Sequence, residues 1–367
     1  MHSPLGALSD LEPIASGAML DRYRIVRHVA SGGMGSVWEG SFAGKYGFTK
    51  RVAIKTILPQ LAGERRFTEM FLEEARLTSR LSHAHVAQVL DVGDHEGTMY
   101  IVFEWVDGES LEVLCRAAES RGEALPLDLA LRVVADVCAG LHAAHELTSD
   151  DGRPLHVVHR DVTPHNVLVS RDGYAKVIDF GLAKARDRIG APTRSGLVKG
   201  TPQFMAPEQA LGHPVDRRAD VFSAGALLFR VLAGHPPFPD RESLAAFIHG
   251  ERAPELPPST PEPVRAVVFR AMRRDPAERF ATAADMRLAL ERATHMGLAA
   301  AFGAPPPVSP ELAPTPVDGE RLPAPAPPAT PAPAPAAAAT SGPRGLLIAL
   351  LLAIGAVTCA ATFAMSS

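Results

Sequence analysis

His159-Arg160-Asp161-Val162-Thr163-Pro164-His165-Asn166, followed by Asp179-Phe180-Gly181, is the stretch from which the rest of this 367-residue chain can be read. The first segment sets a carboxylate and an amide on one short loop, five positions apart. The second brings another carboxylate beside them. One carboxylate to orient a hydroxyl, with an amide and a second carboxylate to hold a hard cation, is the equipment that phosphoryl transfer needs.

Working outward toward the N-terminus, a strand-like run, Tyr23-Arg24-Ile25-Val26, leads into Ala30-Ser31-Gly32-Gly33-Met34-Gly35-Ser36-Val37. Glycines let a hairpin backbone lie close over phosphates without Cβ clashes. Gly32, Gly35 and Val37 fit the pattern G-x-G-x-x-G-x-V, and Ala30 stands where its first glycine would be. Next comes Val52-Ala53-Ile54-Lys55, which places an ammonium on a core strand. Such an ammonium needs a counter-charge, and the helical stretch 66–81 offers Glu73 and Glu74.

Together with Ala206-Pro207-Glu208, Asp220 in Asp220-Val221-Phe222-Ser223, and Arg279 in Asp275-Pro276-Ala277-Glu278-Arg279, these segments make residues 20–296 resemble a bacterial eukaryotic-like serine/threonine protein kinase. The resemblance implies an α+β, bilobal protein kinase fold, with a small β-rich lobe ahead of a larger helical one. The hydrophobic patterning agrees. Short β-like runs (23–29, 36–38, 51–57, 86–92 and 99–104) precede helical spacing over 127–145, 219–232 and 263–273. The family register selects Glu74 as the partner of Lys55. It implies that Glu208 pairs with Arg279 and that Asp220 braces the catalytic loop. It also implies that Glu104-Trp105-Val106 meets adenine through its backbone, with Phe103 as gatekeeper.

The reaction so implied moves the γ-phosphoryl of ATP to a protein Ser or Thr hydroxyl. Asp161 orients the substrate proton and Lys55, held by Glu74, positions the α/β-phosphates. Asn166 and Asp179 hold Mg²⁺, with Mn²⁺ able to substitute. Ala30, Gly32, Gly33, Gly35, Val37, Ala53, Glu104 and Val106 complete the nucleotide site. One departure stands out: Thr163 occupies a position that is commonly lysine in serine/threonine kinases. It supports an alternative reading as a nucleotide-binding pseudokinase scaffold. A small-molecule phosphotransferase is disfavoured by the segment Gly200-Thr201-Pro202 to Ala206-Pro207-Glu208, which builds a peptide platform in the family. Thr201 supports Ser/Thr specificity. Arg160 would dock a phosphate on Thr193 or Ser195, with help from Lys184 or Arg186.

The remaining sequence sets bounds. A net charge of -4 gives no reason to expect nucleic-acid binding. Cys115, Cys138 and Cys359 follow no disulfide or zinc spacing, which suggests a reducing compartment. His83 and His85 are expected to be loop residues without a metal. Residues 1–19 read as a leader with no secretory signal. Residues 297–344 are dominated by Pro and Ala and read as a disordered linker, up to about 150 Å long at about 3.1 Å per residue. Residues 345–365 carry no charge and span roughly 30 Å as a helix. They read as one transmembrane helix, with the kinase domain cytoplasmic, at a bacterial inner membrane. Arg344 agrees with the positive-inside tendency. Ala356, Ala360 and Ala364 recur at a spacing that would let two spans pack, which leaves a homodimer open.

Overall fold

The computed structural model describes residues 15–32, 35–57, 65–180 and 202–302. All lie in the first of two compact units, Met1–Pro307 and Val308–Ser367. Gly33, Gly181, Lys184, Arg186, Thr193, Ser195, Thr201, the leader up to residue 14 and the apolar segment 345–365 lie outside the described residues. No helix among the described residues is long and apolar enough to cross a membrane.

The N-terminal lobe is an antiparallel sheet in the order β1-β2-β3-β4-β6-β5. Its strands are β1 (Met19–Leu20), β2 (Tyr23–Ser31), β3 (Gly35–Ala43), β4 (Thr49–Ile57), β5 (Val89–His95) and β6 (Thr98–Glu104). Period-two alternation assigns the two faces. Tyr23, Ile25, Trp38, Val52, Ile54, Tyr100 and Val102 pack together on one of them. The register Val37↔Lys55, Glu39↔Ala53 and Ala53↔Phe103 puts Val37, Ala53, Lys55 and Phe103 on the other. The helix α1 (Arg65–Ser79) covers part of that second face, with Phe71 and Ala75 against Ile57 and Ile101.

Gly35 marks the closest approach in this sheet. A Cβ built there would sit 2.2 Å from the Thr56 carbonyl oxygen, a backbone atom that cannot swing away. Gly35→Ala is therefore expected to cost about 1–3 kcal/mol, read as a lower urea midpoint at unchanged slope. Gly32→Ala, whose Cβ would meet nothing nearer than 3.9 Å, should leave the midpoint nearly unmoved.

The C-terminal lobe is built on helices α2 (Leu111–Glu119), α3 (Leu127–His145), α4 (Pro207–Ala210), α5 (Arg218–Ala233), α6 (Arg241–His249), α7 (Glu262–Ala271) and α8 (Ala283–Phe302). A small sheet of β7 (Gly108–Ser110), β8 (Val167–Ser170) and β9 (Ala175–Val177) carries the loops of interest. Helix α5 is buried on all sides and ends where Gly234 takes a left-handed conformation (φ 77°). Cys115 and Cys138 are buried, which pushes their thiols up to about 11 and about 12 and leaves them unreactive.

Several element ends differ from the sequence reading, the run 36–38 extending over Gly35–Ala43 among them, and two of the differences have a plain cause. The strand expected from residue 86 starts at Val89, because residues 85–87 dock on β9 instead. Val177 N–H donates to His85 O (2.9 Å) and Ala87 N–H to Val177 O (3.0 Å). Helix α8 runs past residue 296 to Phe302, inside the stretch assigned to the linker. Residues 297–302 (Gly-Leu-Ala-Ala-Ala-Phe) precede the first proline, so alanine propensity lets the helix continue.

Candidate active site

Lys55 lies at the centre. Its Nζ donates to Glu74 Oε1 (3.0 Å) and to Asp179 Oδ1 (2.8 Å), joining α1, β4 and the segment after β9. Glu74 falls on the buried stripe Phe71, Glu74, Ala75, Thr78, spaced for one helix face, whereas Glu73 is exposed. Of the two glutamates, Glu74 is the one that Lys55 contacts. Burial opposes the charge on Lys55, but Asp179 and Glu74 outweigh it and raise its pKa. Burial also pushes Glu74 up to about 7 against the pull of Lys55, with the charge of Asp179 adding to the rise. Glu74 Oε2, buried with no hydrogen-bond partner, fits that direction.

A raised carboxylate favours the folded chain in its protonated form. That contribution is present at acid pH and fades as pH rises from the ordinary 4.5 through about 7. The ion pair with Lys55, by contrast, needs Glu74 ionised. Phosphoryl transfer is therefore expected to fall as pH drops below about 7, and a Glu74→Gln variant should be slower but lack that acid limb. A pH–rate profile of both proteins checks this.

The loop 159–166 is held from beneath by Asp220, which is fully buried on α5. Asp220 Oδ2 accepts from His159 N–H (2.8 Å) and His145 Nε2 (2.7 Å), and Oδ1 accepts from Arg160 N–H (2.7 Å). Burial alone would raise this carboxyl, but the His145 hydrogen bond, the histidine charges and the Arg160 peptide lower it. Arg160 is left-handed (φ 67°), as is Asp179 (φ 63°), so strained backbone flanks the site on both sides. Gln209 Nε2 caps the Arg160 carbonyl (2.9 Å). His159 Nε2 donates to Ile178 O (2.9 Å), and its ring meets Phe180 edge-on at 4.6 Å. The segments carrying Asp161 and Asp179 are thereby fastened to one another.

Asn166 Nδ2 donates to Asp161 O (2.9 Å) and Asp161 Oδ2 (3.1 Å). Among the described residues, Asn166 Oδ1 and Asp179 Oδ2 have no hydrogen-bond donor. Two hard oxygens, one anionic, suit a Mg²⁺ ion. Thr163 is buried (5% exposed), and its carbonyl accepts from Asn166 N–H at 3.0 Å.

Val37 and Ala53 roof the space beside Lys55, with Phe103 next to Ala53 in register. Glu104 uses its N–H on Gln88 O (2.9 Å) and its side chain on Lys176 Nζ (2.9 Å) and Gln88 N–H (2.9 Å). Val106 follows the last ladder pair, Val52↔Glu104, so its backbone groups carry no strand bond. Ala30 pairs with Val37, and Gly32 N–H closes the hairpin on Gly35 O (2.8 Å). Glu208 and Arg279 form a two-pronged pair (2.7 Å each).

Three contacts went unread in the sequence. His145 joins Asp220, Lys176 joins Glu104, and Asp136 from α3 lies 3.5 Å from His85 Nε2. The last supplies a carboxylate where sequence spacing suggested none. Among the described residues, no group of three or more His, Cys, Asp or Glu could hold a metal.

A family model described as the protein kinase domain matches residues 23–289. The chain is 42% identical over 274 residues to a protein named tyrosine-protein kinase MasK of Myxococcus xanthus, covering 73% of this chain and 42% of that one. It is 37% identical over 297 residues to serine/threonine-protein kinase PksC of Streptomyces coelicolor, covering 78% of this chain and 50% of that one. The chain spans about half the length of these curated relatives. Among solved structures, the PknI kinase domain of Mycobacterium tuberculosis superposes with a TM-score of 0.57 at 27% identity, covering 77% of this chain and all of that one.

Proposed function

This chain belongs to the protein kinase family, and from that premise we propose that it is an ATP-dependent protein serine/threonine kinase. The observation that carries the reading is the single ammonium of Lys55, shared between Glu74 of one lobe and Asp179 of the other. That arrangement presents a fixed positive charge to the α/β-phosphates. The Asp161 carboxylate, steadied by Asn166, orients the incoming hydroxyl and accepts its proton. Rigid support of the loop by Asp220 supplies the positioning on which such transfers depend. Asn166 and Asp179 would hold Mg²⁺, which offsets charge on the phosphate oxygens when bound. Val106 would meet adenine through its backbone. Serine/threonine specificity is supported by the named activity of the Streptomyces relative; the Myxococcus relative carries a tyrosine-kinase name.

We further propose that residues 345–365 tether the domain to a membrane through the Pro/Ala-rich linker, with the domain on the cytoplasmic side. Close approach of two spans at Ala356, Ala360 and Ala364 would make a dimer. Phosphate on Thr193 or Ser195 would regulate the site. The alternative of a nucleotide-binding scaffold, raised by Thr163 with its hydroxyl and no charge, is not favoured, since relatives named as protein kinases match 73% and 78% of this chain.

The test is incubation of the full chain with labelled ATP and Mg²⁺, followed by phosphoamino-acid analysis. Label on serine or threonine, absent from Asp161→Asn, is the expected result. Label on tyrosine would overturn the specificity. Silence with nucleotide binding retained would leave the scaffold.

A further inference from the structure

The turn joining β3 to β4 has no part in the site just described, and its chemistry is unusual for this molecule. Overall, acids outnumber bases, 41 to 37. Between Arg22 and Ile57, however, the sequence carries seven Lys or Arg and one acid, Glu39, although Arg22 pairs with Asp91 and Lys55 is held by Glu74 and Asp179 in the cleft. Glu39 is already engaged by Arg27 (2.8 Å) and Arg51 (2.9 Å). Lys45 and Lys50, both exposed, have no ion pair among the described residues. Between them stand two aromatic rings in water. Tyr46 is 104% exposed and Phe48 56%.

The turn is built rather than frayed. Gly44 N–H donates to Phe48 O (2.7 Å) and Phe48 N–H to Lys45 O (3.2 Å). Phe48 leans on Phe42 at 6.4 Å, and Arg22 lies over Phe42 at 5.5 Å. Tyr46 itself holds a left-handed conformation (φ 60°, ψ 30°) that glycine or asparagine would adopt more readily. Folding alone gives no reason to keep a bare tyrosine there.

We propose that this turn, led by Tyr46 and Phe48 and flanked by Lys45 and Lys50, docks in the headgroup region of an anionic lipid bilayer. Amphipathic rings settle at the membrane–water interface, and lysines beside them are drawn to anionic headgroups. The occupant follows from the rest of the chain. The uncharged segment 345–365 would hold the domain near a bilayer, so a weak contact becomes effective through local concentration. The inference thus rests on the tether reading above. Its geometry leaves the cleft open. The register places Ala43↔Thr49 at the turn and Gly35↔Ile57 at the opposite end of the hairpin, about 25 Å away. Gly35 and Lys55 stay clear of the lipid.

The test uses the full chain in nanodiscs of phosphatidylcholine alone or of an equimolar mixture with phosphatidylglycerol. Flotation with lipid, resistant to alkaline wash, first checks the tether separately. Hydrogen exchange is then read in peptides covering residues 44–51. Exchange about tenfold slower on the anionic discs, reversed by high salt, is the expected result. The same slowing should be absent in Tyr46→Gly, which relieves rather than adds strain, and in Lys45→Glu with Lys50→Glu, which spares both rings. Equal exchange on the two discs, in a chain that floats with both, overturns the proposal while leaving the tether intact. Slowing by an added acidic protein but not by phosphatidylglycerol overturns it as well, and points to a protein partner.

Discussion

Replacing Lys55 by methionine is expected to lower phosphoryl transfer about 10³-fold or more. Loss of one charge-stabilising donor in a closed site costs about 10²–10³. Here the loss compounds, because the same ammonium separates two carboxylates. Without it, Glu74 and Asp179 face each other unneutralised, and Asp179 loses the contact that fixes its orientation. Lys55→Arg should not rescue, since the larger planar guanidinium cannot occupy a site 7% exposed and shaped for one nitrogen. Single-turnover rates at saturating nucleotide separate this from weakened binding. A Lys55→Met protein within tenfold of wild type would show that the ammonium is structural only.

The second large effect concerns folding. Arg279 is expected to tolerate no apolar replacement: Arg279→Met should lose about 3–5 kcal/mol, because it leaves Glu208 buried and unpaired. The guanidinium also donates to the carbonyls of Arg273 (2.8 Å), Arg218 (2.9 Å) and Arg274 (3.1 Å), and lies over Phe222 at 4.9 Å. One side chain therefore ties α4, the start of α5 and the segment after α7. Adding Glu208→Leu to Arg279→Met should recover part of the loss, since it removes the stranded charge but not the orphaned carbonyls. Urea unfolding of the two variants beside the wild type makes the comparison. Equal loss in single and double variants would show that the carbonyl contacts, not the ion pair, dominate.

How much of this was legible depends on how local each signal is. Asp161, Asn166 and Asp179 sit on short segments whose spacing is itself the message. Glu74 is distinguished from Glu73 by the family register, with the helical period placing Glu73 on a different face. The two sheet faces are consistent with simple alternation, Val52 and Ile54 lying on the side opposite Ala53 and Lys55. Contacts between polar groups far apart in sequence left no such trace. Nothing around His145 announces that it will meet Asp220, and nothing around Asp136 or Lys176 announces His85 or Glu104. Gly140 is a further case: a Cβ there would lie 2.5 Å from His85 O, so a helix-interior glycine records a loop pressed against α3. The end of α8 was misplaced because proline content was read as the boundary while the alanines before it still favour helix.

The central claim is that Lys55, Glu74, Asp179 and Asn166 form one nucleotide site whose affinity depends on a divalent cation. Calorimetric titration of the full chain with ATP tests it most directly. The account predicts binding in the presence of Mg²⁺ that weakens at least about tenfold when the ion is chelated, and a comparable weakening in Asp179→Asn with Mg²⁺ present. Binding of equal strength with and without Mg²⁺, or no heat of binding in either condition, would contradict it.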